Sequence, residues 1–394
     1  MHYRQILLSG LLMFSCACYA QNHKIESILQ AIETNNPDLK AKAASSESRR
    51  LELKSTNTLS NPEAGMYYMP WGDHAAGDYT EYQVTQEFDF PTLYGIRGDL
   101  IKLVADQMDF DYHALRQDIL LQAKKACVEL VFLNKIQSLE TVREAEARQV
   151  FEQMQVMYDK GQVGILDYNK AKIAALEQSF RVVDFQAQIK NLESQLTTLN
   201  GGAPIELTLT AFDNEIVLPS FDVLWEEKRH ADPWLLRLAM EEDISQNQIR
   251  LSKSQRLPSI TAGYNQQGVA GDVYSGVYAG LSIPLWSGGK QVQLAKANAH
   301  FQSIAVESNL QRKRSEVEQS YNTYLFLLDQ MQELRSTLAN QQSEQLLKTA
   351  YEMGELSYLD YYRELQFFQS AANRLLDLEK RLHLVKSELL KHRL

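Results

Sequence analysis

The chain has 394 residues, room for two to four domains at about 100–200 residues each, and its 18 glycines and 9 prolines are too few turn formers for a β-sandwich or a wide single-chain barrel. With 44% apolar and 23% charged residues, wholesale disorder is excluded. A net charge of −10 argues against nucleic acid as a partner, and a mean hydropathy of −0.35 argues against a helical membrane protein without touching β-barrels, whose alternating strands escape hydropathy scales.

Residues 1–20 differ in kind from the rest of the chain. Arg4 supplies a positive n-region, Ile6–Phe14 is an apolar run, and Cys18-Tyr19-Ala20 is a small-x-small site before Gln21, the pattern of a secretory signal peptide. Acylation at Cys18 is the alternative, although Ser15-Cys16-Ala17 before it lacks the usual large aliphatic residue. Cleavage leaves Cys127 as the single cysteine of the exported chain, so no disulfide staples it.

Beyond the signal the chain repeats itself. Asn36-Pro37-Asp38-Leu39 recurs 196 positions later as Asp232-Pro233-Trp234-Leu235, and Pro62 answers to Pro258 at the same offset. Phe88-Asp89-Phe90-Pro91 matches Leu281-Ser282-Ile283-Pro284, and Tyr158-x-x-Gly161-x-x-x-x-Leu166-Asp167-Tyr168 matches Tyr351-x-x-Gly354-x-x-x-x-Leu359-Asp360-Tyr361, both at 193. Four landmarks in one order with a single length change make a tandem duplication, residues 21–205 and 206–394.

In chain order, Ile25–Thr58 reads as a helix interrupted at Pro37 and carried to about Leu59, where Pro62 stops it. From Ala64 to Phe90 the period falls to two. Tyr82, Val84, Phe88 and Phe90 share one face; Glu81, Gln83, Thr85, Glu87 and Asp89 share the other, and Gly72 and Gly77 mark a hairpin connection. Tyr94–Gly98 reads as a strand-to-helix turn. Asp99–Asp159 then holds neither glycine nor proline, and a 61-residue helix at ~1.5 Å per residue would reach about 90 Å. Its apolar residues recur in steps of three and four (Met108, Tyr112, Leu115, Ile119, then Ala126, Leu130, Leu133), as do Phe185, Ile189, Leu192, Leu196, Leu199 on the return, which is coiled-coil spacing. The second repeat follows suit. Ile260, Ala262, Tyr264 and Val277, Ala279, Leu281, Ile283, Leu285 form a hairpin joined across Gly268–Gly276. Ser287-Gly288-Gly289-Lys290 is a strand-to-helix turn rather than a P-loop, because Gln291 follows the lysine. Lys290–Met353 is a second uninterrupted stretch, and Leu375, Leu378, Leu382, Val385, Leu389 line its return.

Four strands cannot close a membrane barrel; about eight is the smallest that fills its own interior. One face of each strand is apolar and the other polar, with Tyr67, Tyr68, Trp71, Tyr79, Tyr82, Tyr278 and Trp286 near strand ends where aromatic girdles belong, so several copies must pool their hairpins. A signal peptide followed twice by helix, hairpin, very long helix, Tyr-x-x-Gly-x-x-x-x-Leu-Asp-Tyr tip and return helix resembles the TolC-type outer-membrane efflux factors over Gln21–Leu394. The resemblance implies a mainly α fold with a small β part: a homotrimer whose long helices form an α-barrel tunnel across the periplasm of a Gram-negative bacterium. Its hairpins would share one twelve-stranded barrel in contact with outer-membrane lipid. It implies passive export, with a periplasmic adaptor and an inner-membrane pump of RND type as partners, and it sets Pro37 and Pro233 in an equatorial belt of short helices.

At the tips, Gly161 and Gly354 let two helices reverse. Asp167 and Asp360 fall at the start of the return helices, where a carboxylate caps free N–H groups and meets the positive end of the dipole. The resemblance implies a further role: Asp360, with Asp167, Tyr158 and Tyr351, at the pore entrance, Asp360 in three copies forming an acidic ring, and Gly161, Val163, Gly164, Gly354 and Leu356 at the adaptor-contacting tips. Where the family carries a locking arginine two residues after the second glycine, this chain has Leu356, and Arg363 follows three residues after Asp360, so the constriction is built differently.

The histidines are scattered, with neither Gly-x-Ser-x-Gly nor Cys-x-x-Cys, so the expectation is no catalysis, no cofactor and no metal. Rival readings are an outer-membrane component of type I protein secretion, a periplasmic adaptor, which would carry one helical hairpin inside a split β-domain, and a secreted coiled-coil structural protein, which would not need four alternating strands. Metal cations, drugs and polypeptides all fit the plan as cargo.

Overall fold

The computed structural model describes residues 25–73, 75, 77–212, 217–269, 271–286, 288–339 and 343–394; the signal segment 1–20 lies outside the described residues. The described chain is mostly helical with one small antiparallel sheet. It divides into a helical unit (residues up to Lys40, Leu115–Lys228 and Arg314–Leu394) and a sheet unit (Ala41–Ala114 and Arg229–Lys313), each drawn from both repeats.

Helix α1 (residues 25–35) and α2 (Pro37–Ser55) are separate because Asn36 caps the second: its Oδ1 accepts the N–H groups of Asp38 and Leu39 at 3.0 and 3.1 Å, and Pro37 supplies a first helical residue that needs no donor. The junction between α5 (Phe221–Ala231) and α6 (Pro233–Ser254) repeats the device, with Asp232 Oδ1 accepting the Trp234 N–H at 3.0 Å. Helix α2 stops at Ser55, short of Leu59. Hydroxyls of Ser55, Thr56 and Thr58 turn back onto the carbonyls three residues before them at 2.6–3.0 Å and close the helix end locally.

Helix α3 (Pro91–Asp159) has 69 residues and begins a full two turns before Asp99. The expected turn at Tyr94–Gly98 is therefore helix. Pro91 fits the first turn without losing a bond, and the helix continues through Gly95 and Gly98; a Cβ on Gly98 would lie 3.6 Å from the Asn57 amide, an ordinary contact, so neither glycine is there for a reversal. Helix α4 (Ile165–Leu199) returns. In the second repeat α7 (Gly288–Ala339) and α8 (Ser343–Glu352) lie on either side of residues 340–342, which are outside the described residues, and α9 (Tyr358–Leu389) is the return.

The helical unit is cored by both repeats. Ile32, Leu130, Leu196, Leu224, Leu327, Leu382 and Leu389 are all buried to 2% exposure or less, and the seam residues Ile119, Ala126, Leu133 and Leu378 are buried with them. Cys127 sits in this core as a free thiol, and burial pushes it up to about 12.

The sheet unit holds β1 (Glu63–Met69), β2 (Tyr79–Phe88), β3 (Ser259–Val269) and β4 (Asp272–Ser282), antiparallel and in chain order, so that β2·β3 joins the two repeats and β1 and β4 are open edges. The second connection is tighter than expected: Val269 pairs with Asp272, and Gly271 has φ +93°. Gly268 and Gly276 lie inside the strands instead, and at Gly268 a Cβ would come 2.8 Å from the Thr80 hydroxyl of the neighbouring strand. Register carries one apolar face across all four strands: Met66 opposes Tyr82, Val84 opposes Tyr264, Phe88 opposes Ile260, and Ile260 opposes Leu281. Phe90, Ile283 and Leu285 fall beyond the strand ends. On the other face Asn265 hydrogen-bonds Glu81, and Ser259 bonds Glu87 at 2.7 Å. The apolar face is left bare: Val277 is 92% and Leu281 68% exposed.

Candidate functional site

The two hairpin tips are built alike. At the end of α3 the chain reverses at Gly161, φ +69°, where the Gly161 N–H donates to the Tyr158 carbonyl at 2.9 Å and the Gln162 N–H to that of Met157 at 2.8 Å. At the end of α8, Gly354 has φ +78°, its N–H donates to the Tyr351 carbonyl at 3.0 Å, and the Glu355 N–H reaches that of Ala350 at 2.9 Å. This paired closure needs a left-handed residue, which glycine supplies without strain. Each tip is then clamped by tyrosines. Tyr158 stacks on Tyr168 with centroids 5.0 Å apart, and Tyr351 on Tyr361 at 4.7 Å, so one ring from the descending helix covers one from the returning helix. Burial raises the Tyr351 phenol above its ordinary value, and the ring stays neutral. Val163 and Leu356, at matching positions in the two turns, are half-buried.

The return helices start differently. Helix α9 is capped by Ser357, whose Oγ accepts the Asp360 N–H at 3.2 Å and donates to Asp360 Oδ2 at 2.6 Å. Helix α4 is capped by Gly164 with no side-chain bond, and Asp167 lies 3.8 Å from Lys170, both half exposed. Asp167 therefore serves its helix end by charge rather than by accepting an N–H. The residue three before each aspartate, serine against glycine, makes the difference. The structure thus gathers tyrosine, glycine and aspartate within each tip, with Asp360 exposed and Asp167 half exposed. Tyr168, Tyr361 and Ser357 belong to the same site; the tyrosines close the repeated motif, and Ser-x-x-Asp is a capping signature.

Farther along the same helices, α3, α4 and α9 share a buried polar knot. The Glu140 side chain, 2% exposed, accepts from Arg143 and from Gln178, while Asn373 donates to it at 3.4 Å and accepts from Arg143 at 2.9 Å. Glu140 and Arg143 are an i,i+3 pair on α3, but nothing local in the sequence relates them to Gln178 or Asn373, which reach them only through the packing of three helices.

Among the described residues no group of three His, Cys, Asp or Glu side chains gathers as a metal site would, and no helix is long and apolar enough to cross a membrane.

Residues 224–390 match the family described as outer membrane efflux protein. The outer membrane protein TolC of Vibrio cholerae is 24% identical over 339 residues, which cover 79% of this chain and 75% of that protein. Among solved structures, the outer membrane protein VceC from Vibrio cholerae aligns with a TM-score of 0.75 at 14% identity, covering 94% of this chain and 96% of the other. The Neisseria gonorrhoeae MtrE outer membrane channel, in its open state, aligns at 0.70 and 14%, covering 94% and 88%. At that identity the two structures speak for the fold, and the match over the second repeat and the TolC relative show what the sequence is similar to: the outer membrane efflux proteins.

Proposed function

We propose that the protein is the outer-membrane exit duct of a tripartite efflux system, a passive conduit that takes substrate from an inner-membrane pump through a periplasmic adaptor. The observation that carries this reading is the sheet: strands β2, β3 and β4 of 10, 11 and 11 residues, the length of a tilted membrane strand, with one mainly apolar face, interrupted by Gln86, Gln266 and Ser275, and two open edges. Lipid covers that face, and the edges close only against other copies. Three chains would pool twelve strands into one barrel and their long helices into a periplasmic tunnel. The Gly161 and Gly354 tips, with Val163, Gly164 and Leu356, meet the adaptor, and Asp360 faces the entrance with Asp167 behind it. The pump is of RND type in this reading. Mild detergent extraction of the outer-membrane fraction followed by native mass measurement tests it: a trimer that needs detergent is expected, and a monomer soluble without detergent overturns it.

A further inference from the structure

The two return helices start from nearly the same backbone, yet their aspartates are held in different ways. Gly164 and Ser357 cap α4 and α9 with φ, ψ of −81°, 159° and −66°, 155°. At the second tip one hydroxyl makes two bonds to one residue: Ser357 Oγ accepts the Asp360 N–H at 3.2 Å and donates to Asp360 Oδ2 at 2.6 Å. Backbone and carboxylate of Asp360 are thus tied to the same atom, which fixes the side-chain torsion. Among the described residues Asp360 is in no ion pair, and its Oδ1 accepts nothing, so a full charge and free lone pairs remain for a cation. At the first tip glycine has no hydroxyl to offer. The Asp167 N–H turns to the Gly164 carbonyl at 3.2 Å, and the carboxylate lies 3.8 Å from Lys170, whose charge partly offsets it.

We infer that Ser357 is a positioning residue of the entrance: by holding the Asp360 carboxylate in one rotamer, it makes the second tip rather than the first the place where a multivalent cation is held. The inference rests on the proposed place of Asp360 at the entrance. An untethered aspartate divides its χ1 among about three staggered wells. Holding it in one removes a dilution of up to about threefold per chain, and up to about 27-fold for an ion that three chains hold together. The cap itself is a small matter by comparison, because glycine caps a helix almost as well as serine.

The test records the full chain in planar bilayers with lanthanum ions added on the periplasmic side, and compares the concentrations that half-block the current. Ser357→Gly copies the first tip, removing the hydroxyl while keeping a good cap, and should raise that concentration about 3- to 27-fold. Ser357→Thr, which keeps the hydroxyl, should stay within about twofold of wild type. Gly164→Ser added to Ser357→Gly should not restore the block, although a Cβ at Gly164 meets nothing within 4 Å and the serine cap can form there. Asp360→Asn is the reference and should weaken the block at least as far as Ser357→Gly. Block unchanged or tightened in Ser357→Gly, with Asp360→Asn weakened, overturns the positioning role and leaves Asp360 at the entrance. Equal loss in Ser357→Gly and Ser357→Thr marks a general loosening of the turn and overturns the role as well. Restoration by Gly164→Ser overturns the distinction between the tips. Block that survives Asp360→Asn removes Asp360 from the entrance and takes the inference with it.

Discussion

Arg143→Met should loosen the packing of α3, α4 and α9 far more than its place on the surface of one helix suggests. The Glu140 side chain is 2% exposed and Arg143 12%, and they are held at the centre of a knot completed by Gln178 and Asn373. Removing the guanidinium leaves a buried carboxylate with only amide donors, and breaking a buried pair on one side costs about 3–5 kcal/mol. Removing both charges together, as Glu140→Leu/Arg143→Met, leaves no orphaned ion, and such replacements are often neutral or stabilising. Native-state hydrogen exchange on the detergent-solubilised protein reads this locally. Amides of α3 near residue 140, of α4 near 178 and of α9 near 373 should exchange roughly 100- to 3,000-fold faster in Arg143→Met, with most of the protection restored in the double variant. Exchange within about fivefold of wild type in the single variant, or a double variant no better than the single, would refute the account of the knot.

Gly354→Ala should destabilise its tip by about 1–2 kcal/mol although a Cβ there has open space, because φ +78° is the whole penalty; unchanged exchange of the Glu355 amide would contradict this. Asp360→Asn should weaken cation selectivity and block by multivalent cations in single-channel recordings, whereas Asp167→Asn, which loses only an exposed contact with Lys170, should leave conductance alone; the reverse order would move the acidic ring to the first tip. The C-terminal turn should loosen on acidification. Arg393, bonded twice at 2.7 Å, and His392 hold the Glu227 carboxyl down to about 2, so its contribution is complete above the ordinary carboxylate value and fades as pH falls toward 2. Burial, with Lys228 nearby, holds His392 below its ordinary value, so protons favour the unfolded turn from about pH 6.5 downward, the same sign. Protection of residues 390–394 that stayed flat from pH 7 to pH 3 would count against both assignments.

Much of this architecture was legible along the chain because its signals are periodic. Alternation from Tyr82 to Phe88 and from Ile260 to Tyr264 located paired strands, and steps of three and four located the buried seam through Ile119, Ala126 and Leu130. Glycine misled twice, for one reason. Gly95 and Gly98 resemble a turn, yet Pro91 had already started a helix, and a long helix with tertiary support tolerates two weak residues. Gly268 and Gly276 resemble the ends of a hairpin, yet pairing runs through them; at Gly268 the glycine leaves room for the Thr80 hydroxyl of the neighbouring strand rather than marking a reversal. The tips were visible as a repeated motif, since the turn bonds and the tyrosine stacks that close them span ten residues or fewer. The knot of Glu140, Gln178 and Asn373 was not, because its members are 38 and 233 positions apart and no local pattern relates them.

The open edges β1 and β4 also govern how the protein behaves in a mixed population. Each chain is a lone arc with one adhesive end of each kind, and in the proposed assembly a ring forms only when every arc offers both ends. A lesion on the outer side of β4 would then be felt beyond the chain that carries it. If intact and lesioned chains are made in equal amounts and mix freely, about one ring in eight contains three intact arcs. Such an allele would act as a poison on its partner rather than as a simple loss. In that assembly each arc would display Val277, Leu281 and its unpaired backbone until the ring closed, and escort and assembly would then count toward the protein's stability alongside its helical core.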